Sequence, residues 1–92
     1  MIVTVAGVEF DHVVYDRDAD VVYLQVGSPP QTAADFDESP EGHYLRYDER
    51  GALMGITIVN ARRIFEREGT IAITLPEHRV EATDLGAVLA AA

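Results

Sequence analysis

Ninety-two residues, 48 % of them hydrophobic, carry sixteen acids against seven arginines, for a net charge of −9. The chain has no cysteine and no lysine, which excludes disulfides, thiolate and Schiff-base nucleophiles and cysteine-held metals. No apolar run reaches the ~18–20 residues of a membrane span, and so acidic a surface repels phosphate backbones, so neither membrane nor nucleic acid is an expected partner.

In chain order, Ile2–Val5 is a short β-branched run, Ala6-Gly7 a turn, and Val8–Tyr15 a second strand. Strict alternation there puts Val8, Phe10, His12 and Val14 on one face, the mark of a strand with one buried side. The turn Asp16–Asp20 leads into Val21–Val26, which predicts a hairpin whose aspartates supply turn hydrogen bonds. Gly27-Ser28-Pro29-Pro30 must end that strand, because proline cannot donate to a ladder. Thr32–Asp37 is expected to be a short edge strand whose charges discourage edge-to-edge association. A loop over Glu38–Gly42 then precedes His43–Asp48, the first arm of the best-patterned hairpin in the chain.

In that hairpin Asp48-Glu49-Arg50-Gly51 suits a tight turn with Gly51 in the left-handed position. The outgoing strand is apolar on both sides, with Met54, Ile56 and Ile58 on one and Leu53, Gly55, Thr57 and Val59 on the other. Such a strand is central in its sheet and covered on both faces, or covered by a second subunit. Gly55 marks close approach by a neighbour, or a bulge. Asn60 is a good N-cap for the helix ARRIFERE, which Gly69 closes. Thr70–Leu75 gives one more strand, Pro76 stops it, and after a polar link Thr83 can cap a last helix with an apolar stripe of Leu85, Val88 and Leu89. The expected fold is a single α+β domain spanning residues 1–92. It has a mainly antiparallel sheet of five or six strands, a short helix after the central hairpin and a C-terminal helix.

Two stretches, YDRDADVVYL at Tyr15–Leu24 and GHYLRYDERGALMGITIVNA at Gly42–Ala61, resemble a family of small prokaryotic proteins, the domain-of-unknown-function family numbered 2283. Tyr15, Asp16, Ala19, Asp20, Tyr23 and Leu24 match its pattern, as do Gly42, Tyr47, Asp48, Gly51, Gly55, Ile56, Ile58, Asn60 and Ala61. Arg46 departs from it, standing where an aspartate is common. The resemblance covers roughly residues 11–65. Because some relatives sit beside small basic proteins similar to ribonuclease toxins, it implies an antitoxin-like role.

Several residue groups could carry chemistry. Asp16-x-Asp18-x-Asp20 begins like a calcium loop, but the sixth and twelfth positions are Val21 and Gly27 rather than glycine and glutamate, so a hydrogen-bonded turn is the better reading. His12, His43 and His78 have no metal-ligand spacing, and His12, on an otherwise apolar face, reads as a core histidine. His43 with Asp16, Asp20 or Asp48 could form an acid–base site if the strand-end loops converge. Tyr15, Tyr23, Tyr44 and Tyr47 suit cross-strand packing or an interface. Arg62, Arg63 and Arg67 form a basic helix face, with Arg62 expected to pair with Glu66. Eleven of the acids and three of the arginines fall in residues 1–50, a balance that favours a basic protein partner.

These features predict no cofactor, a homodimer and a cytoplasmic setting, the last because no cationic segment precedes a long apolar one at the N-terminus. The leading expectation is a small acidic interaction protein, an antitoxin-like partner of a basic protein. The alternative is a small-ligand binder or hydrolase-type enzyme using His43 and the strand-end aspartates.

Overall fold

A computed structural model describes residues 1–27, 33–82 and 84–91. The break expected at Ser28-Pro29-Pro30, the strand start at Thr32 and the cap at Thr83 lie outside the described residues. The elements run β1 (Val3–Val5), β2 (Val8–Phe10), β3 (His12–Asp16), β4 (Val21–Gln25), β5 (Asp35–Glu38), β6 (Tyr44–Tyr47), β7 (Leu53–Val59), α1 (Ala61–Glu68), β8 (Ile71–Thr74), β9 (Arg79–Ala82) and α2 (Gly86–Ala91). The architecture is α+β. An antiparallel five-stranded sheet has the order β3-β4-β7-β6-β5, and two two-stranded hairpins, β1-β2 and β8-β9, stand apart from it.

β7 is the central strand. Its apolar residues divide by the pleat: Ile56 and Ile58 are buried, while Thr57 and Val59 on the opposite face are half-exposed. The buried side meets Val22 and Leu24 of β4 and Leu45 of β6. Over these pack Val3, Val5 and Phe10 from the first hairpin, Ile71 and Ile73 from the last, and Leu85, Val88 and Leu89 at the C-terminus. One face of the sheet is therefore covered by both hairpins and both helices. The other is open.

Four local readings change. Val8–Tyr15 is not one strand: it breaks at Asp11, whose carboxylate accepts the Gly27 N–H at 2.8 Å. The alternation flips there, so that Val13 and Tyr15, not His12 and Val14, pack toward the core. His12 accordingly sits half-buried on the open face rather than in the core. The polar stretch after Pro76 contains β9, which pairs with β8 from Ile71↔Ala82 to Thr74↔Arg79; only Val80 and Ala82 in it are apolar, too weak a period-two signal to read. The third and fourth changes concern α1. Asn60 sits in the left-handed region at φ 58° and makes no side-chain cap, and the Arg62 guanidinium hydrogen-bonds the Tyr15 hydroxyl and the Leu89 carbonyl, with Glu66 acting on it by charge rather than by a close ion pair.

Two expectations about glycine hold. Gly51 has φ 80°, and its N–H donates to the Asp48 carbonyl to close the hairpin turn. At Gly55 a Cβ would lie 3.3 Å from the Leu24 carbonyl oxygen and 3.4 Å from Cδ and Nη1 of Arg46. The close neighbours are thus the β4 backbone and a side chain laid across the open face from β6.

Candidate functional site

The aspartate turn is built into the helix start. The Asp16 carboxylate accepts the Ala19 N–H at 3.2 Å, fixing the turn. Asp20 follows at φ 56°, a region that Asp and Asn tolerate better than most residues. Its carboxylate accepts the Arg62 N–H at 2.8 Å, the Arg63 N–H at 3.3 Å and the Tyr15 hydroxyl at 2.8 Å, while its carbonyl accepts the Ala61 N–H. Asp20 thus caps α1 from forty residues away, satisfying first-turn donors that would otherwise go unpaired. Partial burial pushes its carboxyl up, but the donors from Arg62, Tyr15 and Arg63 outweigh it and hold the group below the ordinary aspartate value. Arg62 closes the unit: its guanidinium carbon lies 5.8 Å from the Tyr15 ring centroid, a cation–π distance.

The hairpin aspartate plays the same kind of part. Asp48 accepts the Arg50 and Ala52 N–H groups at 2.8 and 2.9 Å, which locks the β6–β7 turn. Glu41 accepts the Thr74 N–H at 2.9 Å and the Thr74 hydroxyl, tying the β5–β6 loop to β8. Burial opposes ionisation there, yet those donors lower its carboxyl to about 2.

His43 is fully buried. Its Nδ1 accepts the Val59 N–H at 3.1 Å, so the ring takes the ladder position just beyond the end of β6. A nitrogen that accepts cannot carry the proton, so the neutral ring has its hydrogen on Nε2. Among the described residues Nε2 has no hydrogen-bond partner. It can therefore donate, but in this tautomer it cannot act as a base or bind a metal. Burial pushes the imidazole pKa down, and nearby Glu41 pulls the other way with less effect. His43 also borders a cavity of about 220 Å³ with Glu41, Ile64 and Arg67.

The four sequence candidates do not form one site. Val21 and Val59 are partners, so Asp20 and His43 share one end of the sheet with β7 between them, about 10 Å apart by strand spacing. Asp48 follows β6 at the other end, roughly 16 Å from His43 along an extended strand. All four side chains are already engaged by backbone donors. Among the described residues no group of three or more His, Asp or Glu side chains is placed to hold a metal.

The tyrosines divide two and two. Tyr15 bonds Asp20, and Tyr47 packs against the core with its hydroxyl buried; burial and the charges of Asp37 and Asp35 raise its pKa. Tyr23 and Tyr44 are the exposed pair, 45 % and 48 % accessible. Both are cross-strand partners of Thr57, and both lie on the open face.

β5 is the charged edge strand expected from the sequence, but sequence reasoning missed how its aspartates are used. Ser39 N–H donates to the His43 carbonyl, so in an antiparallel ladder the amides of Asp37 and Asp35 also point toward β6, leaving those of Phe36 and Glu38 facing outward. The outward amides are taken by the preceding aspartates, Phe36 N–H by Asp35 and Glu38 N–H by Asp37, both at 2.9 Å. A charged edge that consumes its own donors resists strand addition. An alternation of Asp with a single apolar residue, as in Asp35-Phe36-Asp37, is the signal that could have shown it.

No helix among the described residues is long and apolar enough to cross a membrane. No match was found among curated proteins or among solved structures. The profile described as "Protein of unknown function (DUF2283)" matches residues 12–62, from the first residue of β3 to the first turn of α1. That span contains the capped turn, the central hairpin and the Asn60-Ala61 helix entrance, and the chain belongs to this family.

Proposed function

We propose that the protein is a non-enzymatic interaction module that engages a basic protein partner, in the manner of an antitoxin bound to a small basic toxin. The observation that carries this reading is an open groove of about 580 Å³ beside β5 and the β6–β7 turn. Asp35, Asp37, Asp48 and Glu49 line it with Tyr47 and Pro76. Carboxylates around an apolar floor suit an arginine or lysine side chain, whose stem packs while its charge pairs. The engaged state of Asp16, Asp20 and Asp48, and the tautomer of His43, favour binding over acid–base chemistry.

The test is titration of the purified chain, at low and high salt, with the product of an adjacent gene that encodes a small basic protein. The expected result is a complex that weakens as salt rises and that Asp35→Asn with Asp37→Asn weakens further. No complex at low salt, or one indifferent to both changes, contradicts the proposal.

A further inference from the structure

We propose that the open face of the five-stranded sheet seats a second copy of this chain, giving a two-fold dimer packed sheet on sheet. Phe36 borders both this surface and the acidic groove, but the groove's Asp35 and Asp37 alternate with it and fall on the covered side of β5. Across the open face the register aligns one row over five strands, Val14–Tyr23–Thr57–Tyr44–Glu38. The next row contains Arg46 over Gly55 and ends on Phe36.

Three observations point to a second copy. The first is area. Val14, Tyr23, Tyr44 and Phe36 are 58, 45, 48 and 68 % exposed, which for side chains of this size is roughly 400 Å² of apolar surface. That is as large as the largest patch on many monomers, and about half of the ~800 Å² that each side of a standard interface buries. The polar residues of the same rows add to it.

The second is charge. By the pleat, this face carries Asp16, Glu38 and Arg46 together with His12, so most of the net −9 lies elsewhere. Two acidic chains can stack here with little repulsion, whereas a strongly basic partner would find few carboxylates.

The third is symmetry. Tyr23 and Tyr44 stand one strand to either side of Thr57. A two-fold axis running along β7 between the stacked sheets places each Tyr23 over the partner's Tyr44, and Thr57 over its own copy. An isologous interface requires such a self-complementary arrangement, and aligned sheet packing supplies the spacing.

Sedimentation velocity on the full chain across roughly 1–200 micromolar tests this, the range where an interface at the small end of the standard class associates. The expected result is a monomer–dimer equilibrium little affected by salt. It should weaken at least about tenfold with Tyr23→Asp and Tyr44→Asp together, circular dichroism being unchanged. Because the native chain has no cysteine, single cysteines report the contact even if that variant does not fold. Thr57→Cys should be cross-linked into a dimer by a short bis-maleimide, which spans the ~10 Å between facing sheets that a disulfide cannot, and Ile2→Cys, exposed but off this face, should not.

A monomer at every concentration overturns the proposal, as does a dimer indifferent to the tyrosine changes or equal cross-linking at both cysteines. The groove reading is tested separately, since Asp35→Asn with Asp37→Asn should leave the dimer intact.

Discussion

The two faces of the five-stranded sheet come from the same strands and obey different rules. On the covered face, Val22, Leu24, Leu45, Ile56 and Ile58 are at most 2 % exposed and are held by elements drawn from both ends of the chain. On the open face, Val14, Tyr23, Tyr44 and Phe36 stand at the alternate positions of β3, β4, β6 and β5 and are 45 to 68 % exposed. The covered face sets stability, and its edges are fastened by polar residues: Asp20 to α1, Glu41 to β8, His43 to β7. The open face is available for binding. Asp16, Asp20, Asp48 and His43, the residues that read as an acid–base cluster in sequence, each accept a backbone N–H and do not converge on one site.

This contrast can be broken in graded steps. The largest effect should come from Ile58→Ala on the covered face, which deletes fully buried methylenes from the central strand and should cost about 3–4 kcal/mol in urea unfolding. Asp20→Ala removes a cap shared by two amides and the Tyr15 hydroxyl, and should cost about 2 kcal/mol. Hydrogen exchange should then be faster in α1 than in β4; uniform acceleration would mean that Asp20 is not chiefly a helix cap.

The histidine gives a pH signature of intermediate size. His43 has a folded pKa below its unfolded value of about 6.5, so the unfolded chain binds the proton first. Stability should be full above about pH 6.5 and fall as pH drops below it, until the folded-state pKa is passed. The limiting slope is ~1.4 kcal/mol per pH unit. His43→Asn should be less stable at pH 7.5 but flat between pH 5 and 7. Glu41 adds a loss at lower pH: with its carboxyl at about 2 when folded and 4.5 as its reference, its contribution is present above 4.5 and disappears as pH falls through 2. The smallest effect should be Tyr44→Ser, which at nanomolar protein, where only monomer exists, should change stability by no more than about 0.5 kcal/mol.

Period-two alternation and glycine placement made the central hairpin legible, because β7 carries its own apolar pattern and Gly51 has a turn to make. Where a strand carried little apolar signal, as in Arg79–Ala82, or where one side-chain bond bent the chain, as at Asp11, alternation misled. The role of Asp20 was hidden for a different reason. Its partners Arg62 and Arg63 are donors through their backbone amides, which every residue except proline possesses, so no residue type forty positions away announces the contact. Asn60 looked like the cap by position, but it sits at φ 58° and makes no side-chain cap, so it serves the backbone turn into α1. The division of the tyrosines followed from the pleat, but only once the break at Asp11 had fixed which residues of β3 face inward.

The most direct test of whether the family's carboxylates are architectural is an NMR titration of the Asp20 side-chain carboxyl carbon, read together with the amide protons of Arg62 and Arg63. A midpoint below that of an ordinary aspartate, with both amides shifting at the same midpoint, is the predicted result. An ordinary or raised midpoint, with the two amides unmoved, would contradict it.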